Sequence, residues 1–501
     1  MKYKKILYGC LMISVLLASF LIYTGNNAGN ESENNKNPSS EPYNVVVIVS
    51  DALRADVLGC YDGEAKTPNI DWLAENGVLF ENAHSTSPFT SPSTVSMFTG
   101  EYPYIYKKDL VPPKNVLLGT LLNFQVPEKD SLLAKQLGKA NYEVHKDIEN
   151  GIAEWTNSLQ GFEKLKDHSE LLKQDKRQIT EITGLKADQY QIMHSFLDYL
   201  IKTPVGKPFF VLKWILDPHA PYDPPEKFEK EINVDESKLL RKKTVFTKSS
   251  GFDASRVVGW TEYEYQYLKA LYIKEVESVD ERIGYIIKAL KSKDLFSRTI
   301  IVFTSDHGEA FNEHGGWGHG QDLFEPLVHI PFIMTGPGIG KGIREKTNIS
   351  LLDLTATLKE LLKLDYKDEY QGISFAQLAF QDRSESLDMD AWKKRPLYFV
   401  EIGKKESKYQ DALLLDRHKL FALKDNTYEL YDLSKDPQEL NDISTEEEEI
   451  VDLMGEQIKK IRIDNQSRRS KYFEKEEQGT SRERIVDKKT LGKLKSLGYI
   501  R

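Results

Sequence analysis

The sequence contains very little cysteine and has no block of positive charge in its body. Its 501 residues include 2 cysteines, Cys10 and Cys60, which excludes a disulfide-rich scaffold and a cysteine-ligated zinc site. The formal net charge is −9, from 68 Lys and Arg against 77 Asp and Glu, so nucleic acid is not an expected partner. The 31 glycines and 20 prolines are ordinary numbers and exclude fibrous classes. What remains is a 40% hydrophobic chain, long enough for one large core and a smaller unit.

Long uncharged stretches are also rare, and the clearest one lies at the N-terminus. Lys2, Lys4 and Lys5 precede an uncharged segment at residues 6–23. As a helix this segment reaches about 27 Å, close to the roughly 30 Å of a bilayer core. The basic flank should stay in the cytoplasm, which sends the rest of the chain outward. Residues 1–24 therefore predict a single-pass membrane anchor or a cleaved signal peptide.

The composition changes twice more along the chain. Residues 25–42 are rich in Asn, Ser and Glu with little to bury, which predicts a flexible linker. Past about residue 395, short alternating runs predict antiparallel strands, and a helix is expected at residues 446–462. We therefore predict one large domain over residues 43–394, and a smaller C-terminal α+β subdomain with a charged tail over residues 395–501.

Within residues 43–394, buried strands alternate with helices. Continuous apolar runs are typical of strands buried on both faces, and they occur at residues 45–49, 209–212, 299–303 and 330–334. Segments with helical periodicity lie between or after them, at residues 130–140, 262–292 and 351–364. This alternation predicts an α/β fold with a large, mostly parallel sheet flanked by helices.

Polar side chains follow three of the predicted strands at the point where each strand ends. Asp51 follows the first, His219 the second, and Asp306 with His307 the third. An aspartate after a strand, taken alone, is equally well explained as the N-cap of the next helix. Because ligands of open α/β sheets bind beyond the carboxyl ends of the strands, the recurrence at three strands favours one shared site.

Histidines are concentrated in the glycine-rich stretch that follows the third of these strands. Of the 10 histidines in the chain, four lie there: His307, His314, His319 and His329. Glycines allow such a loop to bend several imidazoles toward one centre. Carboxylates combined with imidazoles suit a hard or borderline dication. The sequence therefore predicts one divalent metal ion, with Mg, Mn, Ca and Zn left open.

A hydroxyl-rich stretch at residues 85–100 leads into a predicted helix. Two interpretations remain open for it. The hydroxyls cap backbone amides, or one of them stands at a helix N-terminus, where the helix dipole favours an alkoxide or a bound anion.

Several separate segments, in order along the chain, resemble the sulfatase family of the alkaline-phosphatase superfamily. They are residues 45–56, 67–71, 87–103, 217–222, 299–309, 325–337, 428–437 and 497–499. The resemblance implies a large sheet flanked by helices, followed by a subdomain of antiparallel strands and a helix. It also implies a set of metal-site positions, which are Asp51, Thr90, Asp306 and His307.

The same resemblance implies catalytic roles. Thr90 falls on the nucleophile position, because Pro92 and Gly100 keep the spacing of the family signature. His219 and His319 fall where the family places groups near the charged oxygens or the leaving group of the ester.

The residues around this nucleophile position depart from the family. Sulfatases proper carry Cys or Ser there, which is oxidised to formylglycine, and threonine cannot undergo that maturation. Ala52 and Thr94 stand where the family often has a second Asp and an Arg, so one charge of each sign is lost and the net charge of the site is unchanged. The remaining set resembles the single-metal site of phosphoglycerol and phosphoethanolamine transferases, which use a threonine and face outward from a membrane.

We therefore expect an extracytoplasmic, metal-dependent hydrolase of sulfate or phosphate esters, with a glycan or a lipid head group among the candidate substrates. Two alternatives remain. One is a transferase that passes a phosphoryl-linked group to a lipid or polysaccharide, and the other is a surface module that binds its ligand without turnover.

Three further residues complete the predictions. Lys213 either directs a cation toward the substrate anion or faces solvent at a strand edge, and His314 is a second candidate for substrate binding. Cys60 is not expected to be a nucleophile, since no base lies beside it in the sequence.

Overall fold

The computed structural model describes most of the chain from residue 42 onward. The described residues are 42–107, 124, 126–128, 132–154, 156–165, 173–186, 189–203, 206–241, 260–364, 370–381, 388–401 and 407–476. Residues 1–41, with the predicted anchor or signal peptide and nearly all of the predicted linker, lie outside them, as do residues 477–501. Within the described ranges, no helix has the length and apolar character needed to cross a membrane.

The strands of the described residues have two to seven residues, and three of the longest form the centre of the main sheet. They are β1 (Asn44–Ser50), β2 (Gly77–Phe80), β3 (Ala83–His84), β4 (Glu143–Ile148), β5 (Glu163–Lys164), β6 (Phe209–Ile215), β7 (Thr299–Ser305), β8 (Ala310–Phe311), β9 (Trp317–Gly318), β10 (His329–Ile330), β11 (Phe332–Thr335), β12 (Ile343–Glu345), β13 (Ile349–Ser350), β14 (Leu397–Val400), β15 (Tyr409–Leu415), β16 (His418–Leu423) and β17 (Tyr428–Asp432).

The helices of the described residues include two long ones. They are α1 (Pro68–Glu75), α2 (Thr90–Thr99), α3 (Leu133–Lys139), α4 (Lys173–Thr183), α5 (Gln191–Lys202), α6 (Glu226–Glu229), α7 (Glu262–Ser292), α8 (Glu325–Val328), α9 (Leu354–Leu361), α10 (Ala376–Ala379), α11 (Met389–Lys393) and α12 (Glu448–Glu476).

The main sheet has eight strands in the order β12-β2-β11-β7-β1-β6-β4-β5. Strand β1 pairs in parallel with both β6 and β7, and β4 pairs in parallel with β6. The predicted strand at residues 330–334 is divided at Pro331 into β10 and β11, and β11 runs antiparallel to β7. The predicted α/β fold with a mostly parallel sheet is confirmed.

The first strand shows why its sequence forms the centre of the sheet. All seven residues of β1 are buried. Val46 and Ile48 pack in the apolar core on one face, whereas Val45, Val47 and Val49 pack in the core on the other face. Full burial of one such side chain contributes about 1.5–3 kcal/mol. A strand covered on both faces therefore requires the uninterrupted apolar run that the sequence provides.

Helix α7 covers one face of this sheet and braces the chain where β1 ends. It begins with a capping box, in which the Thr261 side chain accepts from the Glu264 N–H and the Glu264 carboxylate accepts from the Thr261 N–H. From the same helix, the Tyr272 hydroxyl donates to Ala52 O and accepts from Arg54 N, both at 2.9 Å. The helix thus fixes the turn that carries Asp51.

The C-terminal strands β14, β15, β16 and β17 form an antiparallel sheet in chain order. We expected the helix that follows them to end at residue 462, but α12 continues to Glu476. The extra turns are held by tertiary contacts that local composition does not reveal. The Tyr472 ring packs 5.5 Å from that of Tyr106, and the Arg469 guanidinium lies 5.7 Å from the Tyr104 ring.

Candidate active site

The ends of adjacent parallel strands bring three potential metal ligands together. Asp51 follows β1, and Asp306 and His307 follow β7, whose last residue lies in register with the last residue of β1. One oxygen of each carboxylate and one ring nitrogen of His307 lie within 4.8 Å of one another. All three side chains are fully buried. They form a possible metal-binding triad.

The Asp51 carboxylate is oriented by hydrogen bonds to only one of its oxygens. Oδ2 accepts from Asn150 Nδ2 at 2.6 Å and from Trp214 Nε1 at 2.9 Å. Oδ1 is buried and has no hydrogen-bond partner among the described residues. One oxygen is thus fixed by the protein, and the other is left available for a ligand.

Asp306 is held in the same way. Its Oδ1 accepts from the backbone N–H groups of Ala52 at 3.1 Å and His307 at 3.0 Å. Its Oδ2 is buried and lacks a hydrogen-bond partner in the part of the chain that the structure describes. Two orphaned carboxylate oxygens at the same centre are costly unless a cation satisfies them.

The third member, His307, presents a nitrogen lone pair to this centre. Its Nδ1 lies 2.9 Å from Gly308 O, so Nδ1 carries the proton and donates it. Nε2 then faces Asp306 Oδ2 at 3.4 Å and Asp51 Oδ1 at 3.8 Å. Burial lowers the pKa of His307, which keeps the ring neutral and able to bind a metal.

The electrostatics of the triad also fit a cation. Burial and the neighbouring Asp306 raise the pKa of Asp51 to about 6, against the smaller opposite effects of His219 and His307. Burial raises the pKa of Asp306 to about 7. Two buried carboxylates that resist ionisation next to a neutral imidazole gain most from a hard or borderline dication. The residues present therefore fit the predicted divalent metal ion.

Thr90 is the first residue of α2 and is fully buried. Its Oγ1 lies 3.2 Å from His307 Nε2 and donates to that lone pair. The nearby Thr90 hydroxyl also acts to lower the Asp306 pKa, so it lies beside the triad. Pro92 fits the first turn of α2, where a backbone N–H would have no partner within the helix. As the first residue of α2, Thr90 stands at the positive end of the helix dipole.

The two histidines predicted near the ester lie against the triad. The His319 ring centroid is 4.5 Å from that of His307 and 4.8 Å from that of His219. His219 Nδ1 donates to Ala220 O at 2.7 Å, which leaves Nε2 as the other functional atom of that ring. Phe89 forms a wall beside them, with its ring 6.5 Å from His307 and 5.7 Å from His319.

Lys213 and His314 have other surroundings. Lys213 is fully buried, and its Nζ lies 2.8 Å from Asp147 Oδ2 and 2.9 Å from Glu149 Oε1, so two carboxylates balance its charge. It neither faces solvent nor offers an uncompensated cation. His314 is exposed, and its ring stacks on Phe324 at 3.5 Å. The structure does not bring His314 into the stack of His219, His307 and His319.

Three residues that hold the site were not assigned a role from the sequence. Asn150 and Trp214 orient Asp51, and the Glu309 carboxylate lies 2.9 Å from His319 Nδ1. Asn150 follows β4 and so obeys the same strand-end rule as Asp51. The sequence did not reveal Asn150 because β4, the strand before it, has no continuous apolar run and was not predicted.

With this geometry described, comparison with known proteins decides the family. A family model described as Sulfatase matches residues 43–364, which is more than half of the chain. The chain belongs to the sulfatase family. A second model, described as N-sulphoglucosamine sulphohydrolase, C-terminal, matches residues 312–464. The predicted enzyme class, a sulfatase-like ester hydrolase, is confirmed, whereas the roles of individual residues stay predictions.

Individual relatives support the same class. Arylsulfatase K of Xenopus laevis is 26% identical over 369 residues, which cover 68% of this chain and 67% of that protein. A phosphonate monoester hydrolase of Agrobacterium radiobacter has a similar structure, with TM-score 0.64 and 20% identity, covering 85% of this chain and 96% of that chain. A protein solved in complex with its substrate D-glucosamine-2-N,6-O-disulfate has a similar structure, with TM-score 0.64 and 18% identity, covering 85% of this chain and 99% of that chain. These two structures show the fold.

Proposed function

We propose that this chain is an extracytoplasmic, metal-dependent hydrolase of sulfate or phosphate esters that uses Thr90 as its nucleophile. The observation that carries the proposal is the position of Thr90 Oγ1. It lies 3.2 Å from His307 Nε2, beside two buried carboxylate oxygens without partners among the described residues, at the N-terminus of α2.

The metal would be held by one oxygen of Asp51, one oxygen of Asp306, His307 Nε2 and the Thr90 hydroxyl. When bound, a divalent cation supplies positive charge that lowers the pKa of the hydroxyl and neutralises the charge of the ester. Asn150, Trp214 and the N–H of Ala52 orient the two carboxylates before any ligand arrives.

Thr90 provides the attacking oxygen. The helix dipole of α2 favours the negative charge that develops on Oγ1 as its proton leaves. Attack on phosphorus or sulfur forms a bond to Oγ1, whose proton passes to water in the site, and breaks the bond to the leaving oxygen, which gives a covalent phospho- or sulfo-threonine. Water then attacks this intermediate, the bond from Oγ1 to phosphorus or sulfur breaks, and Oγ1 takes back a proton from water, which regenerates Thr90.

Two histidines are available for the proton transfers of these steps. His219 and His319 lie side by side, and the structure holds each of them by Nδ1. We assign the proton exchange with substrate or water to these two rings. One histidine protonates the leaving oxygen, and the other removes a proton from the attacking water.

The choice between sulfate and phosphate esters depends on the second step, in which water attacks the covalent threonine intermediate. A formylglycine hydrate expels sulfate by collapsing to an aldehyde, but a threonine ester has no such route and needs direct attack by water. Phosphate-type esters are therefore the easier substrates for Thr90. Among similar proteins, the names arylsulfatase K and phosphonate monoester hydrolase represent both classes.

The proposal is tested with a panel of p-nitrophenyl esters: the sulfate, the phosphate, the phosphodiester and a phosphonate. Purified protein is stripped of metal, and Mn, Mg, Ca or Zn is added back singly. We expect at least one dication to restore turnover of at least one ester. Thr90→Ala and Asp306→Ala should each lower kcat by about 10³-fold or more, because each removes part of the chemical machinery.

Cys60→Ala is the matched control. Burial and Asp71 raise the pKa of the Cys60 thiol, so it is a poor nucleophile at neutral pH, and its loss should leave turnover unchanged. Full activity of Thr90→Ala would remove Thr90 from the mechanism. Full activity of the metal-stripped protein would remove the cation.

A further inference from the structure

A buried arginine lies three residues after Asp51 and has no part in the mechanism described above. The Arg54 side chain is 5% exposed. Its Nε and Nη2 donate to the two carboxylate oxygens of Asp56 at 2.8 and 2.6 Å. Its Nη1 donates to Glu313 Oε1 at 2.6 Å and to the backbone oxygen of Glu309 at 3.1 Å. The planar guanidinium thus joins the turn after β1 to the loop at residues 306–320, which follows β7.

The two carboxylate partners of Arg54 belong to different segments. Asp56 is exposed and lies two residues further along the same turn. Glu313 is partly buried and belongs to the loop at residues 306–320. Its other carboxylate oxygen accepts from the N–H of Phe311 in that loop. Because Glu313 is bound both to Arg54 and to its own loop, this ion pair fixes the loop against the turn.

The stem of the Arg54 side chain also confines the backbone next to His307. A Cβ on Gly308 would lie 3.4 Å from Arg54 Cγ and 2.1 Å from the backbone oxygen of Pro326, so only glycine fits between them. The Gly308 oxygen lies 2.9 Å from His307 Nδ1 and accepts its proton. Arg54 and α8 therefore enclose the peptide group that orients the His307 ring.

Two backbone contacts join the same two segments. The N–H of Ala52 donates to Asp306 Oδ1 at 3.1 Å, and the N–H of Leu53 donates to Ser305 Oγ at 2.9 Å. With Arg54, three consecutive residues of the turn after β1 hold the end of β7 and the loop that follows it. Arg54 is the one that reaches furthest into the loop.

We propose that Arg54 is a positioning residue that fixes the loop of His307 opposite Asp51 before a dication binds. The inference rests on the proposed function, because it concerns the metal site of that proposal. A cationic side chain is not a metal ligand, so Arg54 acts through Glu313 and the Gly308 peptide. A site that is arranged in advance loses less conformational freedom when the ion binds, and its affinity is higher for that reason.

Calorimetric titration of the metal-stripped protein with Mn, Mg, Ca or Zn tests this inference without any turnover. Arg54→Lys keeps the charge, but one ammonium cannot replace a fork that reaches both segments. We expect the Kd of the tightest-binding dication to rise by about 10- to 100-fold, as when other residues that orient metal ligands are lost. Hydrogen exchange in the metal-free variant should also be faster in the peptide that follows His307 and unchanged in β1.

Two further variants separate positioning from charge. Asp56→Asn and Glu313→Gln each remove one negative charge next to Arg54, but only Glu313 belongs to the loop. Glu313→Gln should therefore weaken metal binding and speed hydrogen exchange in the loop, whereas Asp56→Asn should change both measurements much less. This pair decides the question if Arg54→Lys does not fold.

Arg395→Lys is the control for a general loss of stability. Arg395 is another buried arginine, with its side chain 11% exposed and both Nη atoms on the Asp353 carboxylate. The Arg395→Lys variant should have a lower Tm than the parent but the same Kd for the dication.

Three results would overturn the proposal. They are an unchanged Kd in Glu313→Gln, an equal rise in Kd in Glu313→Gln and Asp56→Asn, and a rise of the same size in Arg395→Lys. Failure of the proposed function is recognised separately, in the parent protein. A parent that binds none of the four dications would remove the metal site, and this inference with it.

Discussion

At the scale of single residues, the three proposed metal ligands share one arrangement of their polar atoms. Asp51, Asp306 and His307 each satisfy one polar atom with the protein and leave the other directed at a common centre. Burial of the two carboxylates therefore lowers the stability of the metal-free protein, and a bound cation would compensate for this loss.

The pH dependence of the metal-free protein should reveal this cost. Asp306 has a pKa of about 7 in the folded chain against 3.8 for an ordinary aspartate. Below pH 4 both states carry the proton, so the raised pKa costs nothing. As the pH rises from about 4 to 7 the unfolded state loses its proton first, and stability falls by up to about 4 kcal/mol.

Asp306→Asn removes this effect, and thermal unfolding in the presence of a chelator measures it. We expect the variant to have a higher Tm than the parent at pH 8 and nearly the same Tm at pH 4. Adding a dication should then raise the Tm of the parent but not that of the variant. Equal Tm values for the two proteins across this pH range would show that Asp306 carries no such cost.

Much of the candidate site could be predicted at this scale. Asp51, Thr90, His219, Asp306, His307 and His319 all lie in one cluster. The environment of Lys213 was harder to predict, since the ion-pair partners of a strand residue can lie on either neighbouring strand. Its partners Asp147 and Glu149 belong to β4 and the residue that follows it, a segment whose polar sequence does not predict a strand.

At the scale of elements, the strands that are buried on both faces are the ones that the sequence predicts best. Strands β1, β6 and β7 are buried at every position, and each contains an uninterrupted apolar run of at least four residues. Helix α7 was predicted with the observed bounds because its periodicity is local, and the structure adds a capping box at its start. Local patterns thus suffice to predict an element whose own residues determine its apolar face and its ends.

Elements that depend on distant partners were predicted less well. Strand β4 has one buried residue and five that are partly exposed, so it lacks an apolar run and was missed. The second half of α12 is charged, and it is held by contacts of Tyr472 and Arg469 with residues more than 350 positions away. The sequence alone gives no sign of such contacts.

At the scale of the whole molecule, the C-terminal sheet is joined to the catalytic part by buried charge. Lys419 of β16 is fully buried, with its Nζ 2.7 Å from Glu325 of α8 and 2.8 Å from Glu439. Glu325 also contacts His84 of β3 at 3.1 Å. Removing one partner of such a cluster costs about 3–5 kcal/mol, so the two parts are coupled in stability.

The location of the whole molecule is a separate prediction from the charges of the first residues. The basic flank at Lys2, Lys4 and Lys5 favours a cytoplasmic N-terminus, with the catalytic domain outside. Proteinase added to intact cells that express the full chain should then digest the catalytic domain. If the domain survives until the cells are lysed, the predicted location is wrong.

The central claim is that the hydroxyl of Thr90, beside a cation site, becomes covalently linked to the transferred group. Acid quenching during turnover, followed by mass spectrometry of the peptide that contains Thr90, tests it most directly. We predict a mass gain of one phospho or sulfo group on Thr90, which disappears when metal is stripped and in Thr90→Ala. A label on another residue, or steady turnover by Thr90→Ala without a label, would contradict the account.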